Sequence, residues 1–440
     1  MRRFPHLTIT LLVALGIATM VFQLGLLMYA GYAMIALAFV SHWLAKTWSE
    51  SVEVRRDCQQ LTAEVGTTIA VLVAVKNVGR WPIGWLLFED LLPHSALWQR
   101  PPRLEVTGQR LQLVMLTAGA TKTMLYQLKC NRRGYYQLGP TVVETGDLFG
   151  LHRRYRVGVE PNFLLVYPEI VPIAGYDVSS RRPIGEVRMT HRLYEDPTRM
   201  AGVRAYQNGD ALNRVHWRAT ARTGTLHSKV YEPSSVAGAT ILIDFHQQSH
   251  PAAHEPVRSE LAITAAASLA HVLYHMGQQC GLVTNGRDAA DRIRQEGYSH
   301  DWRTRQSLRQ SSGMWAASDR LRPVVVPTRR GPEAFRQIQE TLARLELTDG
   351  LTLAQLIAET DSRIPRDATV VVIVSTVTSD VAIALGTLRR RGLAVTALVN
   401  CFDEYEYAQA AGALLAEGVE PRQLRDRESI ALICRRYVVG

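Results

Sequence analysis

The residues best equipped for chemistry lie within one short stretch of the chain, residues 203–222. This stretch carries a carboxylate, an imidazole and three guanidinium groups, belonging to Asp210, Arg214, His216, Arg218 and Arg222. An imidazole can act as a general base near neutral pH. No nucleophile is identifiable beside it, however, and a helix cap would explain the carboxylate. We therefore expect no catalytic residue in this stretch, and no enzymatic activity of the chain.

The spacing of these residues predicts a helix that would position them. Asn208-Gly209 forms a turn, and Asp210 can cap a helix that begins at Ala211 and ends before Gly224. Three arginines at positions i, i+4 and i+8 share one face of this helix, and that face is a candidate docking surface for an acidic partner. They are Arg214, Arg218 and Arg222. Trp217 is interpreted as an anchor between the two flanking regions.

The region on the amino-terminal side of this stretch has the pattern of short strands. Residues 51–170 contain the β-branched run Thr67–Val78, and apolar residues alternate with other residues over Leu111–Met115 and Met124–Cys130. Runs of this kind at close spacing are typical of antiparallel sheets. The sequence therefore predicts a β-sandwich-like region here.

On the carboxyl-terminal side the rhythm changes. From about residue 239, strands that are hydrophobic on both faces, such as Ala368–Ser375, alternate with helical patterns such as Leu261–Met276. Continuous apolar strands separated by helices indicate a sheet covered on both faces. We expect an α/β domain with a mostly parallel sheet.

Composition excludes several classes of protein. The chain of 440 residues is 47% hydrophobic, which is too apolar for a disordered chain. Its five cysteines form no C-x-x-C pair, so neither a disulfide framework nor a thiolate zinc site is indicated. The 50 Lys and Arg exceed the 40 Asp and Glu by ten, but these charges are dispersed, and we expect no nucleic-acid binding.

The amino-terminal segment suggests a membrane anchor. Residues Leu7–Ala45 contain no Asp, Glu, Lys or Arg. A single helix of that length would be about 58 Å long, well beyond a hydrocarbon core of about 30 Å. Two transmembrane helices are therefore predicted, Leu7–Gln23 and Leu24–Ala45. Basic residues outside both ends place the soluble part in the cytoplasm, with the lipid bilayer as a partner; with the family resemblance described next, this membrane would be a bacterial inner membrane.

Three motifs together resemble the bacterial "domain of unknown function 58" family. They are R-G-Y-Y-Q-L-G-P at 133–140, D-L-F-G-L at 147–151, and Y-Q-N-G-D-A-L-N-R-V-H-W-R-A-T-A-R at 206–222. The residues of the third motif that carry the resemblance most strongly are Gly209, Asp210, His216 and Trp217. The resemblance implies a membrane-anchored protein with a β-rich region and a von Willebrand factor A-like domain, which works beside a MoxR-type AAA+ ATPase.

The resemblance also implies one candidate cation site. A-type domains can hold Mg²⁺ in a D-x-S-x-S loop after their first strand. Asp244 matches the first position of that loop, but His246 and Gln248 stand where the two serines would be. A later loop could add the oxygens of Ser375, Thr376 and Asp380. Asp244 is therefore a weak candidate metal ligand, a structural carboxylate is the favoured interpretation, and no cofactor is expected.

The expected architecture has four parts. Residues 1–46 form a transmembrane hairpin, 47–172 a β-rich sandwich-like domain, 173–236 the signature block and connector, and 237–440 a von Willebrand factor A-like α/β domain. The expected function is that of an interaction or adaptor protein that assists an AAA+ ATPase in the assembly or maturation of other proteins. The alternative is a membrane-associated hydrolase of cell-envelope metabolism.

Overall fold

The computed structural model describes residues 10, 13–14, 16–17, 25–173, 194–207, 215–234, 238–290, 321–365 and 369–433. The chain divides into two compact units. The first comprises Met1–Pro168 and Ala289–Ser318, and the second comprises Glu169–Asp288 and Asp319–Gly440. The described residues of the predicted connector, 173–236, thus lie in the second unit.

The first element of the first unit whose bounds are described is the helix α1, which spans Gly25–Glu50. In the described part of the chain, no helix is long and apolar enough to cross a membrane. The prediction of two transmembrane helices is therefore wrong, although most of the first span, Leu7–Gln23, lies outside the described residues. The prediction took an absence of charge for strong apolarity. Glycine, alanine, tyrosine and histidine are uncharged but only weakly apolar, and the end of α1 packs on its own unit, where Ala45 and Trp48 are buried.

A β-rich region follows α1. Its strands, with one short helix, α2, are β1 Val52–Cys58, β2 Thr62–Glu64, β3 Thr68–Asn77, β4 Ile83–Asp90, α2 His94–Trp98, β5 Leu104–Gly108, β6 Leu111–Leu116, β7 Thr121–Cys130, β8 Gly134–Leu138, β9 Thr141–Gly146, β10 Arg153–Val159 and β11 Asn162–Tyr167. Two four-stranded antiparallel sheets have the orders β1-β3-β7-β5 and β10-β9-β4-β6. A three-stranded sheet, β2-β11-β8, contains one parallel pair.

Apolar residues alternate along the strands of this unit, but they face the core on some strands and solvent on others. On β7 the apolar phase faces inward, so Met124, Tyr126 and Leu128 are buried. On the edge strand β6 the other phase is apolar as well, and Leu113 and Met115 are 65% and 82% exposed. Alternation alone therefore identifies a strand without identifying its buried face.

A buried ion pair lies beneath the R-G-Y-Y-Q-L-G-P motif. Arg56 Nη1 donates to Asp90 Oδ1 over 2.9 Å, and both side chains are fully buried. The same carboxylate accepts hydrogen bonds from Tyr126 Oη at 2.6 Å and Thr141 Oγ1 at 2.8 Å. Gly139 has φ of +90°, and a Cβ there would collide with the Arg56 guanidinium. The glycine of the motif thus leaves room for a buried charge.

The D-L-F-G-L motif forms a turn around one carboxylate. Asp147 is buried, and its oxygens accept backbone N–H bonds from Phe149, Leu151 and His152 at 2.6–3.2 Å. Burial alone would raise the pKa of Asp147, but these bonds lower it overall. The motif therefore has a structural role in the loop between β9 and β10.

The second unit combines a β-hairpin with an α/β layer. Its elements are β12 Tyr194–Ala205, α3 Trp217–Thr223, β13 His227–Ser234, β14 Gly238–Ile243, α4 Val257–His275, β15 Gln279–Thr284, β16 Arg287–Asp288, β17 Val324–Arg329, α5 Pro332–Arg344, β18 Leu345–Glu346, α6 Leu353–Thr360, β19 Thr369–Val374, α7 Ser379–Arg390, β20 Val395–Val399, α8 Glu404–Ala416, β21 Glu420–Gln423 and α9 Arg427–Leu432. Strands β12 and β13 pair antiparallel, as do the short β16 and β18.

The main sheet of this unit is mixed. Its order is β17-β15-β14-β19-β20-β21, with four parallel pairings and one antiparallel pairing at the β17 edge. Alternate residues of β14 face opposite cores: Ile241 and Ile243 pack in one, and Leu242 in the other. The sheet is therefore buried on both faces, and its functional groups are confined to strand ends and loops.

Candidate functional site

The signature block folds differently from the predicted helix. Val215 forms an antiparallel bridge with Ser228, so the chain is extended there, and α3 begins only at Trp217. The helix cap is His216, whose Nδ1 accepts the N–H of Ala219 at 2.9 Å. The predicted unbroken helix from Ala211 to Gly224 is therefore wrong, because the chain is extended at Val215, and the predicted cap Asp210 lies outside the described residues. The sequence pattern indicated Asp210 as the cap because aspartate is common at the amino-terminal cap of helices, whereas histidine is not.

Short polar bonds fasten α3 to β13. The N–H of His227 donates to Thr220 Oγ1 at 3.1 Å, and the N–H of His216 donates to the carbonyl of His227 at 2.8 Å. Gly224 ends the helix at φ of +74°, and its N–H donates to the Thr220 carbonyl at 2.9 Å. The short helix is thus held at both ends, although it contains no buried residue.

The outer surface of α3 presents three large side chains, which we call the docking face: Trp217, Arg218 and Arg222. Trp217 is 70% exposed, and its role as an anchor between the two flanking regions stays a prediction. Arg218 and Arg222 are exposed as well. Within the described part of the chain, neither guanidinium forms an ion pair. The other predicted members of this group, Gly209, Asp210 and Arg214, lie outside the described residues.

A second group of polar residues lies at the carboxyl ends of the parallel strands. Each of four neighbouring strands is followed directly by a buried polar side chain. These are Asp244 after β14, Asn285 after β15, Ser375 after β19 and Asn400 after β20. Parallel strands bring such residues to one edge of a sheet, where open α/β folds usually bind ligands. We call this group the strand-end cluster.

Asp244 joins two of these loops. Its Oδ1 accepts hydrogen bonds from Asn285 Nδ2 at 2.9 Å and from the N–H of His246 at 3.1 Å. Asn285 also donates to the carbonyl of Leu351 at 2.8 Å, and its Oδ1 accepts the N–H of Phe245 at 2.6 Å. Asp244 Oδ2 is buried and has no hydrogen-bond partner among the described residues. The carboxylate therefore serves mainly as a crosslink between loops.

His250 is the charged centre of the cluster. Its Nε2 donates to the carbonyl of Asp244 and its Nδ1 donates to Glu255 Oε1, each over 3.0 Å. Both ring nitrogens face acceptors, and only the imidazolium has two N–H donors. Burial alone would lower the pKa of His250, but the bonds to Glu255 and to the Asp244 carbonyl raise it overall. Burial alone would raise the pKa of Glu255. The hydrogen bonds from His250 and Ser259 favour its ionised form, and its pKa is lowered overall.

The cluster does not fit a divalent cation. His246 and Gln248, which replace the two serines, bond to each other through Nδ1 and the backbone N–H at 3.3 Å. Thr376 Oγ1 donates to the Ser249 carbonyl, and Asp380 is exposed. The imidazolium beside Asp244 would also repel a cation. Among the described residues, no group of three or more His, Cys, Asp or Glu could hold a metal ion.

The cluster does not form a nucleophilic triad either. Ser375 Oγ lies 3.5 Å from His250 Nδ1, the same nitrogen that bonds to Glu255. A triad needs the hydroxyl and the carboxylate on opposite ring nitrogens, so that the imidazole can pass a proton. Here the opposite nitrogen, Nε2, is occupied by a backbone carbonyl. The imidazole therefore has no free lone pair with which to activate a serine.

Sequence reasoning missed most of the strand-end cluster. It singled out Asp244 and Ser375 but not Asn285, His250 or Asn400. A usable signal was present, because Asn285 and Asn400 each stand directly after a predicted apolar strand. His250 had no such signal, since its contacts depend on a loop that turns back over Asp244.

One family model and one relative match a large part of the chain. A model described as "Protein of unknown function DUF58" matches residues 202–409. "Uncharacterized protein YeaD" of Bacillus subtilis (strain 168) is 26% identical over 294 residues, which cover 66% of this chain and 71% of that protein. Residues 202–409 of the chain therefore form a DUF58 domain. The matched part of this DUF58 protein runs from β12 into α8 and so contains both the docking face and the strand-end cluster.

Solved structures match only a small part of the DUF58 protein. The CARDB domain of a Pyrococcus furiosus protein is 13% identical, over 26% of this chain and 91% of that chain, with a TM-score of 0.20. A PapD-like domain of human CEP192 is 13% identical, over 26% of this chain and 83% of that chain, with a TM-score of 0.18.

Proposed function

We propose that this DUF58 protein is a non-enzymatic interaction protein that binds an acidic surface of a partner protein through its docking face. The observation that supports the proposal is the exposure of Trp217, Arg218 and Arg222 together on one anchored helix. Trp217 is 70% exposed, and exposed aromatic side chains with arginine neighbours are typical of the centres of protein interfaces. The neighbours of Trp217 are two guanidinium groups without intramolecular partners in the described part of the chain.

The chemistry of these side chains suits protein recognition. Tryptophan and arginine dominate the binding energy of protein interfaces, because each combines a large contact area with directional bonds. A guanidinium binds a carboxylate through two parallel N–H bonds, so the complementary surface is acidic. Because α3 is fastened to β13 and capped at both ends, its backbone would lose little conformational freedom on binding.

The partner class follows from the family resemblance. A MoxR-type AAA+ ATPase is the expected partner, and assembly or maturation of other proteins is the expected process. This DUF58 protein would then serve as the adaptor that presents a client or receives the ATPase. The adaptor role also agrees with the strand-end cluster, whose internal bonds leave no reactive imidazole or serine.

The proposal is tested by charge reversal on the docking face. Replacement of both arginines (Arg218→Glu and Arg222→Glu) should weaken binding to the MoxR-type ATPase of the same organism at least tenfold, which corresponds to about 1.4 kcal/mol. The repulsion between the new carboxylates and an acidic partner causes the loss. Binding is measured on immobilised ATPase, with ATP and with a non-hydrolysable analogue, at low and high salt.

A matched control separates this effect from net charge. Arg363 is an exposed arginine of the same unit, at the end of the 3₁₀ turn Asp361–Arg363. Arg363→Glu should leave binding unchanged. Equal binding by the reversed variant and the wild type would refute the docking face, and failure of wild-type protein to bind the ATPase in either nucleotide state would refute the partner.

A further inference from the structure

Helix α4 carries a histidine pair on its exposed surface, away from the strand-end cluster and the docking face. His271 and His275 stand one turn apart, and their Nε2 atoms are 2.9 Å apart. At that distance the two nitrogens either share one proton or can face a common ion. The separation between them is therefore a measurable constraint on which ion would fit.

Aromatic packing fixes the orientation of both rings. Tyr274 stacks on Phe335 of α5 with centroids 4.8 Å apart and planes within 7°. His271 contacts Phe335 at 5.8 Å, and His275 contacts Tyr274 at 5.4 Å. The pair is thus preorganised by a neighbouring helix, as metal-binding imidazoles usually are by their surroundings.

We propose that His271 and His275 form an open two-imidazole site for a divalent transition-metal cation with tetragonal geometry, Cu²⁺ or Ni²⁺. Metal–nitrogen bonds are about 2.0–2.1 Å long, so two such bonds at a right angle place the nitrogens about 2.9 Å apart. Right angles between ligands belong to square-planar and octahedral ions, whereas a tetrahedral ion would need about 3.3 Å. Imidazole ligands select these ions over Mg²⁺.

The remaining coordination positions belong to water. Among the described residues, no group of three or more His, Cys, Asp or Glu could hold a metal ion, so the pair lacks a third side-chain ligand of these types there. A two-ligand site binds more weakly than a closed structural site and exchanges its metal readily. The site is independent of the docking face and does not rest on the proposed adaptor function.

The test is a metal titration of the full chain without a polyhistidine tag. Calorimetry with CuCl₂ and NiCl₂ should show one binding event, with a higher affinity for Cu²⁺ than for Ni²⁺. MgCl₂ should give no binding event. His271→Asn and His275→Asn should each weaken it at least tenfold. The electron paramagnetic resonance spectrum of the Cu²⁺ form should show coupling to two imidazole nitrogens, reduced to one in either variant.

The control variant is His254→Asn, which removes an exposed histidine of the same unit. It should bind Cu²⁺ as the wild type does, and circular dichroism should show that all three variants are folded. Absence of wild-type binding would show that the pair is only a hydrogen bond and would overturn the proposal. Equal binding by the wild type and by the two pair variants would overturn it as well.

Discussion

His250 and Glu255 show how one buried ion pair can hold several loops together. The imidazolium bonds to a loop carbonyl on one side and to Glu255 on the other, and Ser259 donates to the second oxygen of Glu255. Charges this deeply buried are costly unless they are paired and hydrogen-bonded. Removal of one partner therefore costs more than the pair itself contributes, and both ionisations should appear in the dependence of stability on pH.

The stability that His250 contributes should be greatest between pH 4.5 and 6.5. The raised pKa of His250 means that its contribution is complete below 6.5 and is lost as the pH rises through the folded-state pKa. The lowered pKa of Glu255 means that its contribution is present above 4.5 and is lost as the pH falls through its folded-state pKa. Urea unfolding of wild type and His250→Gln at several pH values measures the difference.

The difference in unfolding free energy between wild type and His250→Gln should decrease as the pH rises above 6.5. His254→Gln is the matched control, because His254 is exposed, and its difference from wild type should stay small at every pH. A gap between wild type and His250→Gln that grows with rising pH would contradict the imidazolium assignment.

Helix α3 is an element defined by its ends. It has no buried residue, so packing cannot stabilise it, and its seven residues are too few to be helical alone. The cap at His216, the left-handed Gly224 and the hydroxyl of Thr220 supply its order. The docking face therefore depends on residues that do not belong to it.

Gly224→Ala should loosen α3 without unfolding the unit. An alanine at φ of +74° costs about 1–2 kcal/mol, because its Cβ crowds the backbone in the left-handed region. Hydrogen exchange of peptides covering residues 217–223 should accelerate about fivefold or more, which corresponds to about 1 kcal/mol of local stability. Gly202→Ala is the control, since a Cβ there meets open space. Equal exchange in both variants would show that the helix end does not depend on Gly224.

Sequence patterns predicted individual strands better than they predicted contacts between residues that are far apart in the sequence. The run Thr67–Val78 lies on β3, and Ala368–Ser375 lies on β19, because apolar periodicity directly reflects burial. The amino-terminal spans failed because absence of charge was counted as apolarity. The helix at the signature block failed because the bridge from Val215 to Ser228 is a contact between separated residues. The contacts of His250 were invisible for the same reason.

Each of the two units has its own hydrophobic core. One large and one small hydrophobic cluster lie in the β-rich unit, and two others cover the faces of the main sheet in the second unit. Only the first unit contains a fully buried ion pair, Arg56 with Asp90, within the described residues. Damage to that pair should therefore be confined to the first unit.

Asp90→Asn should destabilise the β-rich unit by about 3–5 kcal/mol, because it leaves the Arg56 charge buried without a counterion. Hydrogen exchange by mass spectrometry should show lost protection in peptides from residues 52–167 and unchanged protection in peptides from residues 238–288. Glu53→Gln, which removes the exposed partner of Arg55, should cost less than about 1 kcal/mol. Equal effects of the two substitutions would show that burial of the pair does not matter.

The space that Gly139 leaves for the Arg56 guanidinium also constrains how this unit can change over evolution. A larger residue at 139 is excluded while Arg56 is present, and loss of Arg56 leaves the buried Asp90 carboxylate without its counterion. The three positions should therefore be inherited together or replaced together, so that a lineage lacking the glycine also lacks the ion pair. Covariation among related sequences at these three sites would record that dependence.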